Sequence, residues 1–205
     1  MIGILNYGIG NLASVFNALD SLGYEVEIFD DQKSMNKYSH LILPGVGSFA
    51  AGKNLLSKGQ YIPEIKSFAE SGRPLLGICL GMQLLLDSSN EHGLSSGIGL
   101  IGGKVVRFPN GNGLKVPHVG WNSLCNIVKH PILHSIKPSV DMYFVHSYYC
   151  LPDEKNSVIA YCDYGLEFAA VIAKNNVVGV QFHPEKSQPA GLKLLNNFAA
   201  WDGQC

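Results

Sequence analysis

Cys79 is the residue of this chain best placed for nucleophilic chemistry. It stands in Gly77-Ile78-Cys79-Leu80-Gly81, after an apolar run and before an apolar, helix-like segment that begins at Met82. This order predicts a strand, a sharp turn that carries the thiol, and a helix, as in a nucleophile elbow with small flanking residues. The positive end of a helix dipole favours a thiolate at that position. The alternative is a buried structural cysteine at a strand–helix junction.

A thiol nucleophile needs a base, and His183 with Glu185 is the best candidate pair. An imidazole takes the thiol proton, and a third group orients the ring. His183 precedes Pro184 and is therefore expected to be extended, so that the side chains of residues 183 and 185 point the same way. Alone, this tripeptide is more typical of a surface turn. Together with the elbow it favours catalysis, because ligands bind outside the carboxyl ends of parallel strands.

Acyl transfer also needs donors for the developing oxyanion. The backbone N–H of Leu80, directly after the candidate nucleophile, is one. Pro44-Gly45-Val46-Gly47, called here the 44–47 segment, offers another, since glycines let a backbone turn its N–H groups toward a ligand. The alternative for this segment is a plain turn after a strand.

A glycine-rich segment supports a competing interpretation. Residues 8–13, Gly-Ile-Gly-Asn-Leu-Ala, fit the dinucleotide-binding fingerprint between a strand and a helix, and Asp30 lies near the expected distance. On that basis the chain would be an NAD-dependent oxidoreductase. The same glycines suit any tight strand–helix junction, and the cofactor hypothesis leaves Cys79, His183 and Glu185 unexplained.

The other histidines give weaker signals. His130 and His134 have a spacing that suits two metal ligands, but Pro131 lies between them and no third ligand is near, so a surface or capping role is favoured and no metal is expected. His118 lies in residues 115–122, a compact mix of basic, aromatic and amide groups. That segment is either a packed loop or a surface that faces a partner.

Composition narrows the class of protein. The 205 residues are 46% hydrophobic and 15% charged, with a net charge of −1 and no basic block. A disordered chain is excluded, and neither a nucleic acid nor a membrane is expected as a partner. The start of the chain lacks the features of a signal peptide. The cysteines form no CxxC pair, which predicts a reducing, cytoplasmic location rather than disulfides or zinc. They are Cys79, Cys125, Cys150, Cys162 and Cys205.

The hydrophobic pattern predicts one α/β domain over residues 1–205. Strands at residues 2–5, 25–29 and 41–43 and before Cys79 alternate with helices at 11–22 and 62–69. In the second half of the chain the pattern predicts strands at 105–108, 142–149, 158–161, 169–173 and 177–182 and a final helix at 189–201. We therefore expect a mostly parallel, flavodoxin-like central sheet with helices on both faces and an antiparallel extension.

The motifs around Cys79 and His183 resemble those of the class I, triad-type glutamine amidotransferases. Further segments are similar to the glutaminase subunits of imidazole glycerol phosphate synthase within that class. These segments are residues 6–11, 44–47, 115–122 and 143–148, and with the triad motifs they are spread over nearly the whole chain in the expected order. In that family the glycine-rich segment is not a nucleotide site.

The resemblance implies roles for particular residues. Cys79, His183 and Glu185 would form the triad that hydrolyses L-glutamine to glutamate and ammonia, with no cofactor. Val46, Gly47 and Leu80 would form the oxyanion hole. Gln83, His146, Ser147 and Tyr148 would hold the substrate. The expected partner interface includes Asn11, Lys115, His118, Trp121, Asn122 and Tyr143.

The resemblance also implies a partner. Ammonia would pass to a separate β/α-barrel cyclase subunit, in a heterodimer that makes imidazole glycerol phosphate and an aminoimidazole carboxamide ribotide for histidine biosynthesis. The partner would gate glutaminase activity through the 44–47 segment. A paralogous subunit that feeds an enzyme of amino-sugar synthesis for surface polysaccharides would keep the same triad and is the alternative. A non-catalytic binding module is disfavoured because all three triad residues are present.

Overall fold

A computed structural model describes residues 1–109 and 114–204 of the chain. In chain order, its strands are β1 Ile2–Leu5, β2 Val26–Phe29, β3 His40–Leu43, β4 Leu75–Ile78, β5 Ser88–Ser89, β6 Ser95–Ser96, β7 Gly103–Arg107, β8 His118–Cys125, β9 Asp141–His146, β10 Tyr148–Pro152, β11 Val158–Asp163, β12 Glu167–Lys174 and β13 Val177–Val180. Its α-helices are α1 Leu12–Ser21, α2 Phe49–Lys58, α3 Tyr61–Glu70, α4 Leu80–Leu84 and α5 Gln188–Ala200. Short 3-10 helices span Gln32–Lys37, Pro131–Leu133, Lys155–Ser157 and Pro184–Lys186.

A central sheet of nine strands has the order β2-β1-β3-β4-β13-β12-β11-β8-β9. The strands from β2 to β13 pair in parallel, and those from β13 to β9 pair antiparallel. The predicted α/β class with an antiparallel extension is confirmed, and the extension contributes four strands. A smaller sheet has the order β10-β7-β5-β6.

Helices cover both faces of the central sheet, as expected. Alternate strand residues point to opposite faces, so Ile42 packs in one apolar cluster and Leu43 in the other. Leu19 of α1 and Phe198 of α5 pack in the first cluster, and Phe68 of α3 packs in the second. None of the helices in the described part of the chain has the length and apolarity needed to traverse a bilayer.

Several elements differ from the sequence prediction. The single strand expected at 142–149 is two strands, β9 and β10, which belong to different sheets and are separated at Ser147. The prediction omits α2, and it leaves residues 118–125 without a strand although they form β8. These changes matter for the site, since Pro117 directly before β8, the end of β9 and the start of β10 line the pocket described below.

Candidate active site

Cys79 occupies a strained turn between β4 and α4. Its φ of 54° and ψ of −109° lie outside the regions that residues with a side chain normally adopt. The backbone N–H of Cys79 donates to the carbonyl of Val180 in β13, over 2.8 Å, so the strained residue is anchored to the sheet. Strain at a site that the fold holds in place is characteristic of functional positions.

The glycines on either side of Cys79 make the turn possible. A Cβ atom on Gly77 would lie 2.7 Å from the backbone nitrogen of Met82. A Cβ atom on Gly81 would overlap the carbonyl oxygen of Leu43 in β3. The small residues that predicted the elbow are therefore required by close backbone packing on both sides of the thiol.

His183 and Glu185 form a buried pair next to Cys79. Nδ1 of His183 lies 2.8 Å from Oε1 of Glu185, and the two side chains are 3% and 1% exposed. His183 is extended, as predicted, and Glu185 lies in the 3-10 helix that follows. The backbone N–H of His183 donates to the carbonyl of Tyr143 in β9, which fixes His183 relative to the antiparallel extension.

The second ring nitrogen of His183 faces the thiol. Within the described residues, Nε2 has no well-aligned hydrogen-bond partner. Burial lowers the pKa of His183, but the interactions with Cys79 and Glu185 outweigh burial and raise that pKa to about 9. An imidazole whose protonated form is stabilised beside a thiol is suited to hold the thiol proton, which leaves the sulfur as a thiolate.

A cavity of about 270 Å³ contains these groups. Its lining includes every residue predicted for the triad's nucleophile and base, the oxyanion hole and the substrate site. They are Val46, Gly47, Cys79, Leu80, Gln83, His146, Ser147, Tyr148 and His183. Glu185 lies behind His183 rather than in the lining. The cavity also exposes three residues that the sequence prediction missed: Glu91, Pro117 and Val145.

Two glutamines connect the cavity wall to the thiol. Nε2 of Gln83 donates to the carbonyl of Tyr148 and to Oε1 of Gln181, each over 3.1 Å. Nε2 of Gln181 lies 3.8 Å from Sγ of Cys79. The sequence prediction also missed Gln181, which is fully buried directly after β13.

Glu91 supplies the negative charge of the cavity lining. Its Oε2 accepts a hydrogen bond of 2.6 Å from the backbone N–H of Phe49, at the start of α2. A carboxylate is stabilised at the N-terminus of a helix. The charge is thereby held in place at the cavity wall, where it suits a cationic group of a ligand.

His118 and His146 form a buried, hydrogen-bonded pair beside the cavity. Nδ1 of His118 lies 3.0 Å from Nε2 of His146, whose Nδ1 lies 2.9 Å from the carbonyl oxygen of Tyr148. Burial lowers the pKa of His118 to about 4 and that of His146 to about 3. Two neutral rings, each donating through Nδ1, satisfy this arrangement.

The residues predicted for a partner interface divide into two groups. His118 is only 2% exposed and therefore lies in the interior, whereas Asn122 is half-buried and donates to the carbonyl of the exposed Asp163. Trp121 is 47% exposed and meets the ring of Tyr143 edge-on, with centroids 5.7 Å apart. Asn11 precedes α1, and Lys115 is exposed before β8.

The motifs that suggested other chemistry have structural explanations. In the described part of the chain, no group of three His, Cys, Asp or Glu side chains is arranged to hold a metal ion. His130 caps the 3-10 helix at Pro131–Leu133 by accepting from the N–H of Ile132. Gly10, with a φ of 129°, brings the glycine-rich segment against Pro44, because a Cβ atom there would lie 3.4 Å from the proline ring.

Sequence comparison matches the chain to one family and to relatives that share one name. The family described as glutamine amidotransferase class-I matches residues 3–201. The imidazole glycerol phosphate synthase subunit HisH of Geobacillus sp. (strain WCH70) is 48% identical over 204 residues, covering 98% of this chain and 96% of that protein. The subunit of the same name from Caldanaerobacter subterraneus subsp. tengcongensis is 50% identical over 198 residues, covering 97% of each chain.

Solved structures show the same fold at lower identity. A chain from the structure of PurLQS from Thermotoga maritima has a TM-score of 0.76 and 20% identity, with 97% of each chain covered. A crystal structure of a glutamine amidotransferase has a TM-score of 0.75 and 19% identity, covering 97% of this chain and 98% of that one.

Proposed function

Because the chain belongs to the class-I glutamine amidotransferase family, we propose that it is the glutaminase subunit of an imidazole glycerol phosphate synthase. The observation that carries the proposal is the meeting of Cys79, His183 and Glu185 beside one cavity. The names of the relatives select the synthase among the possible users of ammonia.

The reaction proceeds by acyl transfer to sulfur. Cys79 Sγ attacks the side-chain carbonyl carbon of glutamine while His183 takes the thiol proton. The C–N bond then breaks, and His183 returns the proton to the leaving ammonia. Water attacks the glutamyl thioester, again deprotonated by His183, which releases glutamate and restores the thiol. Glu185 orients the ring and stabilises its charged form throughout.

The cavity wall offers groups that match glutamine. The backbone N–H groups of Val46 and Leu80 bind the oxyanion, with Gly47 allowing the segment to turn. Gln83 and the backbone at residues 146–148 hold the substrate's polar groups. Glu91, anchored at the start of α2, pairs with the substrate's α-ammonium group, which is the complementary charge.

The cyclase subunit docks on an exposed ladder formed by two cross-strand pairs. Val119 pairs with Val145, and Trp121 pairs with Tyr143, between β8 and β9. Val119, Trp121 and Val145 are exposed, although apolar cross-strand pairs normally lie in a core. Val145 also lines the cavity, so a partner seated on this ladder lies next to the place where ammonia is released.

Docking on the ladder can reach the catalytic base directly. The carbonyl of Tyr143 accepts from the N–H of His183, and the N–H of Tyr143 donates to Oγ of Ser187. A partner that presses on Tyr143 therefore acts on the backbone of the triad. Gating acts in addition through the 44–47 segment, where Gly47 has a φ of 96° and open space around it.

The test is a glutaminase assay of the full chain with the cyclase subunit from the same source and its ribonucleotide ligand. We expect low turnover for the chain alone, a large increase with the liganded cyclase, and no turnover for Cys79→Ser. A Trp121→Glu variant should lose the stimulation and keep the basal rate. Stimulation by an amino-sugar enzyme instead would assign the chain to the paralogous pathway, and turnover in the Cys79→Ser variant would refute the triad.

A further inference from the structure

A buried hydroxyl group without a partner lies behind the proposed oxyanion hole. Tyr7 is 4% exposed, and its Oη has no hydrogen-bond partner among the described residues. Leaving a buried donor unsatisfied costs free energy, so such groups in a native fold call for an explanation. The mechanism above assigns Tyr7 no role.

The hydroxyl touches the backbone of the 44–47 segment. A Cβ atom on Gly45 would lie only 2.6 Å from Tyr7 Oη, so the hydroxyl occupies the space that a side chain at position 45 would fill. Tyr7 belongs to the apolar cluster that contains Leu80, on the interior side of the segment. Burial, and to a lesser extent Cys79, raises the pKa of Tyr7, which keeps the phenol protonated as a donor.

We propose that Tyr7 is a positioning residue that donates a hydrogen bond to the carbonyl of Gly45 when the 44–47 segment binds the oxyanion. This inference rests on the proposed function. The N–H of Val46 and the carbonyl of Gly45 belong to one planar peptide unit and point in opposite directions. Turning the N–H of Val46 into the cavity therefore turns the carbonyl of Gly45 toward the interior, where the hydroxyl of Tyr7 lies.

The proposal explains two residue types together. Gly45 must lack a side chain because the hydroxyl lies against it, and the unpaired hydroxyl gains a partner when the segment turns the N–H of Val46 into the cavity. The hydrogen bond would be made only in the active conformation. It would therefore raise kcat without changing the affinity for glutamine.

The test compares Tyr7→Phe with the wild-type chain in the assembled enzyme. We expect kcat for glutamine to fall roughly five- to tenfold, the effect of one lost hydrogen bond, with KM unchanged. An aldehyde analogue of glutamine, which forms a tetrahedral adduct with Cys79, should inhibit the variant more weakly by a similar factor. The melting temperature should stay level or rise, since an unsatisfied hydroxyl is removed.

Tyr38→Phe is the matched control. Tyr38 Oη is also buried and has no well-aligned hydrogen-bond partner among the described residues, although Lys37 and Ser34 interact with it. It lies before β3, at the opposite end of that strand from the 44–47 segment. Its loss should leave kcat and inhibition unchanged. Wild-type kcat and aldehyde inhibition in Tyr7→Phe would overturn the inference, as would a loss of kcat accompanied by an equal rise in KM.

A second variant keeps the test decisive if Tyr7→Phe folds poorly. Gly45→Ala pushes a methyl group toward the hydroxyl and should lower kcat on its own. Adding Tyr7→Phe removes one source of the clash, so the double variant should turn over no more slowly than Gly45→Ala. Additive losses would contradict the contact. A wild-type enzyme without Cys79-dependent glutaminase activity would instead overturn the proposed function.

Discussion

Gly81 lies so close to Leu43 that a methyl group on Gly81 would overlap the carbonyl oxygen of Leu43. The contact joins the first turn of α4 to the end of β3, from which the 44–47 segment continues. The absence of a side chain at Gly81 therefore allows the elbow that carries the thiol to pack directly against the strand that leads into the segment proposed to bind the oxyanion.

Gly81→Ala should therefore destabilise the fold strongly. The methyl group can be accommodated only by moving backbone, so we expect a loss of more than about 2 kcal/mol in the free energy of unfolding. Gly72→Ala is the control, because Gly72 has a φ of 80° and open space. Its cost should be only about 1 kcal/mol, from backbone conformation alone. Equal midpoints of urea unfolding for the two variants would contradict the packing argument.

The sequence pointed to the candidate triad because the chemistry of its members is visible in residue type and local order. The elbow needs glycines near a thiol, and the base needs a neighbouring carboxylate, so short motifs suffice. The sequence prediction missed Gln181 and Glu91 because each depends on a contact with a distant segment. Gln181 contacts Cys79, and Glu91 contacts the start of α2. No local pattern reports such contacts.

The missed elements have local causes. Helix α2 contains Gly52, which lowers helix propensity, but a Cβ atom there would lie 3.1 Å from the side chain of Leu80, so the glycine permits close packing against α4. Strand β8 contains Gly120 with a φ of 138°, and glycine is unfavourable within strands. Packing against α4 and pairing of β8 with β9 outweigh these preferences of the local sequence.

The strained backbone at Cys79 predicts a conflict between stability and activity. Cys79→Ala and Cys79→Gly should both lack glutaminase activity, since the nucleophile is absent. Cys79→Gly should nevertheless be the more stable of the two by about 1 kcal/mol, because glycine adopts a positive φ without strain. Thermal or urea unfolding of both variants checks this order. An alanine variant more stable than the glycine variant would show that the turn stores no strain.

The buried histidines predict a maximum of stability near pH 6.5. The pKa of His183 is raised to about 9 in the fold, so its stabilising contribution is complete below pH 6.5 and is lost as the pH rises toward 9. The pKa values of His118 and His146 are lowered to about 4 and about 3, so stability is also lost as the pH falls below 6.5. Urea unfolding from pH 4 to pH 9 measures both slopes.

The Glu185→Gln variant distinguishes the alkaline loss of stability, which depends on His183, from the acid loss, which depends on His118 and His146. Removing the carboxylate lowers the pKa of His183, so the loss of stability between pH 6.5 and pH 9 should become shallower while the acid side stays unchanged. The variant should also turn over at least about tenfold more slowly, because the ring is no longer oriented and its charged form is less stabilised. An unchanged alkaline slope would mean that Glu185 does not control the protonation of His183.

Substitutions at position 46 test whether its backbone N–H binds the oxyanion. Val46 is 41% exposed, so Val46→Ala should leave both turnover and stability nearly unchanged. Val46→Pro removes the backbone N–H and should lower kcat by about 10²- to 10³-fold, the usual cost of one oxyanion donor. KM should change little, because the donor acts on charge that develops only in the transition state. If both variants retained wild-type kcat in the assembled enzyme, the oxyanion would have to be bound elsewhere.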